Sequence, residues 1–421
     1  MPRIVVVYDE GAVSPAEIVT GLKEVGEVVF ALPPSDHNDG MAPLIDDLAT
    51  CVHIPEEAID EVRALRPDAV LTFSERRVRL TANLTEELDL PGHSPEVAAL
   101  VTDKSLQRAR LAAVDPVPSA LVAGPDDWDR CVQLVGTPAV LKPVRGQGSR
   151  DAYPIEDPHA GADLVRRLAE RGTPFPMQLE HFLRGRASGP FADYVSVEST
   201  VCDGRIAHLA ITGKLPMLPP FREVGEFWPA VLPEAEKPAV LDLTTAAIQA
   251  LGVRFGMVHT EIKLTNDGPR IIEVNGRLAG YLNGISVRAA GLDFVRTAAL
   301  VALGEDVRLP PPRYDGVFFS FATPAPRLRG TLVSVKGIGE VSRLPGIVSY
   351  RRYVSPGGAI HDGVGTQRLD IVSGQAPDHQ AMLDLIDQAR KALTFTFATE
   401  EGTTVRSGQD LLNHAAKSTF W

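Results

Sequence analysis

The densest run of chemically capable side chains lies at residues 259–277. His259, Glu261 and Lys263 alternate, and so do Glu273, Asn275 and Arg277, which places each set on one face of an extended strand. Between them stands Thr265-Asn266-Asp267-Gly268, a hairpin signal. Antiparallel pairing would set Glu261 near Glu273 and Asn275. Two carboxylates and an amide oxygen are hard donors. They suit Mg²⁺, which takes one or two carboxylates and lets substrate phosphates complete its octahedron. Arg277 would point to the same place and clamp a carboxylate or phosphate. A solvated hairpin face is the commoner meaning of interleaved charges. Here the intervening Ile262, Leu264, Ile271, Ile272 and Val274 are apolar, so the pair is expected to be buried, and buried carboxylates need a cation.

A second signal is Lys142 at the end of the apolar run Val140-Leu141, followed by Gly146-Gln147-Gly148-Ser149 between Arg145 and Arg150. Glycines let backbone N–H groups approach phosphates, and a lysine at the strand end neutralises them. The loop lacks the Gly-Lys-Ser/Thr of a Walker A motif. An ordinary surface loop is the commoner explanation of a Gly-rich stretch by itself.

The elements that must carry these residues follow from periodicity. Residues 4–8, 27–31 and 68–73 read as strands, with helices at 15–25 and 58–65 between them. That rhythm implies a parallel sheet. No Gly-x-Gly-x-x-Gly follows the first strand, so dinucleotide binding is not supported there. Ser94-Pro95 starts one helix, and Thr102-Asp103-Lys104 starts another that runs to about 114. Strands are expected at 140–143, 177–182, 195–201 and 205–211, the last two joined by Cys202-Asp203-Gly204. Helices at 239–251 and 292–303 stop at Gly252 and Gly304. Leu309-Pro310-Pro311-Pro312 reads as a linker, followed by a strand at 316–323 and a helix at 378–393.

In this order the motifs Lys142-Pro143-Val144-Arg145-Gly146-Gln147-Gly148-Ser149, Leu179-Glu180-His181-Phe182-Leu183-Arg184-Gly185, His259-Thr260-Glu261 and Ile271-Ile272-Glu273-Val274-Asn275-Gly276-Arg277 resemble the ATP-grasp superfamily. The nearest likeness is to its carboxylate–amine ligases of the L-amino-acid ligase (dipeptide synthetase) type, over residues 95–305. The resemblance implies an α/β and α+β multidomain protein. Residues 1–100 would form an N-terminal parallel α/β domain, 101–310 an ATP-grasp core of two α+β subdomains, and 311–421 a small C-terminal α+β domain. It implies that Lys104 and Lys142 contact the ATP phosphates while the loop with Gly146, Gly148 and Ser149 closes over them. Glu180, with the backbones of His181 and Leu183, would read adenine. Glu261, Glu273 and Asn275 would hold one or two Mg²⁺ ions, with Mn²⁺ as a substitute. Arg277 would stabilise the acyl phosphate and the tetrahedral intermediate, and Lys214 would lie near the γ-phosphate or the substrate carboxylate. Glu223 and its neighbours would sit at the amino substrate.

Two departures from the family pattern stand out. The glutamate that usually follows the hinge glycine is replaced by the insert 186–192, leaving Asp193 as the substitute on the ribose. Glu226 stands where related dipeptide ligases often show histidine. Without the family, Lys104 reads as a helix-surface lysine. His259 reads either as a core histidine with satisfied hydrogen bonds or as a substrate contact.

The reaction implied is formation of an acyl phosphate from a carboxylate and ATP, then its capture by an amine with release of ADP and phosphate. A small-molecule kinase on the same site, or a non-catalytic nucleotide-binding module, would share the ATP and Mg²⁺ residues. At 421 residues with 44% hydrophobic content, the chain has material for two or three cores. Its net charge of −12 argues against nucleic-acid and membrane-surface binding, which need a basic face. Cys51, Cys131 and Cys202 are far apart and odd in number, unlike a disulfide or zinc framework. Residues 4–8 are too short for a signal peptide or membrane span, so a cytoplasmic enzyme is expected, with a homodimer as the default assembly.

Overall fold

The computed structural model describes residues 1–307 and 312–417. The linker read at Leu309-Pro310-Pro311 lies outside the described residues. The chain divides into two compact units. One takes Met1–Val117, Val195–Ile211 and Leu232–Arg313; the other takes Pro118–Tyr194, Thr212–Val231 and Tyr314–Trp421.

The first unit opens with a parallel sheet ordered Thr50–His53, Glu27–Leu32, Arg3–Val7, Ala69–Leu71. Ile4, Val5, Val6 and Val7 are all buried, as a parallel strand covered on both faces requires. The helix read at 15–25 spans Pro15–Leu22, and Ser14 and Glu17 close a capping box at its start. The helix Asp36–Asp46 and strand Thr50–His53 were not legible in the sequence. Gly40 and Pro43 interrupt the helix pattern, and only Ser35, which accepts from Asn38 N, marks its start.

The antiparallel part of this unit begins at an edge with Gly268–Asn275, followed by Phe255–Thr265 and by residues 195–202 and 205–211 of the strands Tyr194–Cys202 and Arg205–Lys214. Asp203 (φ 49°) and Gly204 (φ 76°) both take the left-handed conformation that a two-residue hairpin turn demands. Thr265 pairs with Gly268, so the second hairpin has a loop of only Asn266 and Asp267. The helix Lys237–Leu251, ended by left-handed Gly252, packs on both hairpin strands.

The second unit holds an antiparallel sheet ordered Ser119–Val122, Met177–His181, Ala139–Pro143, Tyr153–Ile155. Its core gathers Trp128 and Cys131 from the helix Trp128–Val135, and Leu164, Val165 and Leu168 from the helix Pro158–Glu170. Residues 314 onward add the strands Val317–Pro324, Arg368–Ala376 and Ile347–Arg352. They also form a four-stranded sheet ordered Ala359–Ile360, Gly330–Lys336, Thr394–Thr399, Gly402–Ser407. The helix His379–Ala392 joins Phe319, Phe321, Phe395 and Phe397 in one core. The three cysteines are free thiols, and among the described residues no helix is long and apolar enough to cross a membrane.

Gly161 offers a test of this packing. A Cβ there would lie 2.2 Å from Trp128 Cζ2, and the indole is held by its bond to Pro158 O at 2.9 Å. Gly→Ala in a helix otherwise stabilises by about 0.5–1 kcal/mol. Overpacking reverses the sign, so Gly161→Ala should destabilise by about 1–3 kcal/mol in urea unfolding. A stabilised variant would contradict this core.

Candidate active site

In the first unit, the paired strands Phe255–Thr265 and Gly268–Asn275 place Glu261 opposite Glu273 and His259 opposite Asn275. The other face carries Thr260, Ile262 and Val274, which are fully buried. The ladder slips by one residue between Glu261 and Ile262, so Ile262 pairs with Ile271 and Ile272 is the extra residue.

Around the two carboxylates the charges are closely paired. Lys104, at the start of the helix Lys104–Leu111, puts Nζ 2.8 Å from Glu273 Oε1. His259 is buried; its Nδ1 lies 2.9 Å from Glu198 Oε2 and its Nε2 lies 3.5 Å from Glu261 Oε1. Glu198 is 1% exposed and takes a further bond from Ser196 Oγ at 2.8 Å. Histidine therefore bridges a buried carboxylate and a candidate metal ligand. Arg277 donates from Nε to Glu75 Oε2 at 2.8 Å, from Nη2 to Asn275 Oδ1 at 3.3 Å and from Nη1 to Leu278 O at 3.1 Å. Burial pushes the Glu75 carboxyl above its ordinary range; the nearby Glu273 charge pushes the same way, and Arg277 and Lys104 oppose them. Lys263 is buried and stands opposite Arg270 in the ladder, nearer the turn than Glu261.

Among the described residues no group of three or more His, Cys, Asp or Glu is placed to hold a metal ion. The donor set is smaller: two opposed carboxylates and a carboxamide. That set fits Mg²⁺, which keeps several waters and binds few protein oxygens.

In the second unit, Lys142 Nζ lies 3.0 Å from Glu180 Oε1 across neighbouring strands, and both side chains are largely buried. The following loop is left-handed at Gly146, Gly148, Ser149 and Asp151. Its backbone is tied to residues 364–366, because Asp151 N donates to Val364 O and Thr366 N donates to Gly148 O, both at 3.0 Å. His181 N donates to Pro118 O at 2.9 Å, so that N–H is already engaged. Leu183 follows in the stretch that leads to Gly185. A Cβ on Gly185 would meet Asp193 Oδ2 at 1.8 Å, so only glycine lets the Asp193 carboxylate lie on that backbone.

The same unit gathers Lys214, Glu223 and Glu226. Lys214 is 4% exposed, with Nζ 3.1 Å from Glu226 Oε2 and 3.7 Å from Glu223 Oε1. Tyr194 OH donates to Glu223 Oε1 at 3.0 Å, and Arg368 Nη2 stands 3.7 Å from Glu223 Oε2.

Sequence reasoning missed Glu75, Tyr194 and Arg368, and alternation along the strand 195–201 does not by itself say which way Glu198 faces. Glu75 sits in the short 3₁₀ turn Glu75–Arg77 with no periodic signal. Glu198 had one: it occupies the same alternate positions as Ser196 on a strand with no exposed residue, so its charge required an internal partner.

No family model matches the chain. The chain aligns with a solved L-amino acid ligase from Bacillus licheniformis at a TM-score of 0.76, covering 93% of this chain and 98% of that one at 21% identity. The fold is therefore of the ATP-grasp type. D-alanine–D-alanine ligase from Aromatoleum aromaticum is 30% identical over 239 residues, 54% of this chain and 73% of that protein. Alanine–anticapsin ligase from Bacillus subtilis is 27% identical over 282 residues, 62% of this chain and 60% of that protein. The chain belongs to the ATP-grasp carboxylate–amine ligases. It spans 52–60% of the length of the alanine–anticapsin ligases it matches.

Proposed function

We propose that this chain is an ATP-dependent ligase that converts a carboxylate into an acyl phosphate and transfers the acyl group to an amine. It would release ADP and phosphate and act on amino-acid or small peptide-like substrates. The observation that carries the proposal is the buried hairpin on which Glu261 and Glu273 face each other, flanked by Lys104, His259 and the held guanidinium of Arg277.

Glu261, Glu273 and the Asn275 carboxamide hold one or two Mg²⁺ ions, with Mn²⁺ as a substitute. When bound, the ion supplies positive charge to the β- and γ-phosphate oxygens. Lys104 and Lys142 orient the phosphates. The Gly146–Gly148–Ser149 backbone excludes water from them, and Glu180 with the backbones of His181 and Leu183 holds the adenine. Asp193 takes the ribose. The Arg277 fork faces the carboxylate oxygens and then the oxyanion that develops when the amine attacks. His259 is held by Glu198 and keeps Glu261 oriented beside the substrate. Lys214, paired with Glu226 and Glu223, stands near the γ-phosphate or the substrate carboxylate, and Glu223 and Glu226 stand at the amine substrate. Positioning and charge neutralisation are the whole of the catalysis, with no covalent nucleophile. The same reading takes 1–100, 101–310 and 311–421 as functional segments and places a homodimer in the cytoplasm.

The test is release of ADP and phosphate from purified protein across pairs of amino acids, with mass detection of the product. Release that needs both a carboxylate and an amine, with an amide formed, is expected. AMP and pyrophosphate, or a stable phosphorylated product without an amide, would refute the proposal.

A further inference from the structure

The strand Gly268–Asn275 lies at a sheet edge, so among the described residues its outward backbone groups have no neighbouring strand. Side chains from a single segment take that place. Gln107 accepts from Val274 N at 2.8 Å through Oε1 and donates to Val274 O at 2.7 Å through Nε2. Its carboxamide thus reproduces the two bonds that one residue of a paired strand would make. Arg108 donates to Ile271 O at 3.1 Å and to Ile272 O at 3.0 Å. Asp115 accepts from Ile271 N at 2.6 Å and pairs with Arg270. Gln107, Arg108 and Asp115 are each 4% exposed.

These bonds fall on the ladder slip. From the turn inward the register runs Thr265 with Gly268 through to Ile262 with Ile271. Continued without a bulge, it would pair Glu261 with Ile272 and Thr260 with Glu273. A one-residue slip turns every later side chain to the other face. Glu273 and Asn275 would then lie on the fully buried face of Thr260, away from Glu261 and His259. The extra residue, Ile272, brings them back. Arg108 holds the carbonyls of Ile271 and Ile272 at that point, and Gln107 pins the next turn of the pleat at Val274.

We propose that Gln107 and Arg108 are positioning residues for the metal carboxylates. They hold the bulged register that puts Glu273 and Asn275 on the face of Glu261. They also join that register to the helix whose first residue, Lys104, contacts Glu273. The inference rests on the proposed metal role of those carboxylates.

The experiment uses the full chain and two mild variants, Arg108→Lys and Gln107→Glu. Lysine keeps the charge but cannot span two carbonyls. Glutamate keeps an acceptor for Val274 N–H but loses the donor to Val274 O. Mn²⁺ binding is read by electron paramagnetic resonance with ATP present, beside ATP binding without metal and thermal melting. Both variants should bind Mn²⁺ about 10–100-fold more weakly, the usual effect of removing a ligand's support, with metal-free ATP affinity within about twofold of the parent. Folded variants with parental Mn²⁺ affinity, or melting points that fall while Mn²⁺ affinity holds, would overturn the inference. A parent chain that binds no Mn²⁺ with ATP would overturn the metal reading and this inference together. A parent that binds Mn²⁺ but makes no amide would count against the ligase reaction alone.

Discussion

Glu273→Gln should lower the rate of amide formation by at least about 10²-fold, the scale set by removing one preorganised electrostatic group from an active site. The substitution is nearly isosteric, so the hairpin and its bulge stay in place. What changes is charge. Glu273 stands opposite Glu261 and carries the Lys104 ammonium at 2.8 Å. Without its negative charge, the donor set keeps a single carboxylate, and Lys104 loses its ion pair with Glu273. Raising Mg²⁺ should recover part of the rate, because one ligand is weakened and not the whole set. Glu261→Gln should behave alike. The double variant should cost far less than the product of the two, because the pair acts as a unit. Rates are measured as ADP release at saturating substrates over a Mg²⁺ titration. A Glu273→Gln enzyme with the parental rate at ordinary Mg²⁺ would remove the central claim about this site.

Arg277→Lys should lose about 10²-fold in kcat and gain little over Arg277→Ala. The guanidinium is held on three sides, by Glu75, the Asn275 carboxamide and Leu278 O. A lysine ammonium reaches one of these at a time and cannot present a planar fork to a carboxylate. Stability should respond differently from activity. Glu75 is buried and its ionised form is disfavoured, so Arg277→Ala leaves a costly carboxylate without its main cation. Arg277→Lys restores a charge beside Glu75 and should recover much of the thermal stability. Melting curves and steady-state rates on the same two variants separate the effects. Equal recovery of both would show that Arg277 matters only as the partner of Glu75.

Much of the frame was readable from local pattern. The apolar runs of the parallel sheet, the helix start at Thr102-Asp103-Lys104, and the turn at Asp203-Gly204 each declare themselves within a few residues. The helix Asp36–Asp46 did not, because Gly40 and Pro43 contradict its periodicity and tertiary burial of Ile45 and Asn38 overrides them. Glu75 was hidden for a different reason. A carboxylate in a short turn looks like solvent-facing polarity until a guanidinium 202 residues away is laid against it.

For the site itself, residue types and alternation determined that two carboxylates, an amide, a histidine and an arginine belong to one hairpin, because a strand's period of two is a local property. Which face they share is not local. Regular pairing from the Asn266-Asp267 loop would have parted Glu261 from Glu273. Only the tertiary structure decided that they meet, through a bulged edge strand whose outward carbonyls and N–H groups are bonded by Gln107, Arg108 and Asp115 from 156 to 167 residues away. The energy that selects that register resides in long-range hydrogen bonds to an edge strand, and no local pattern of residues encodes them.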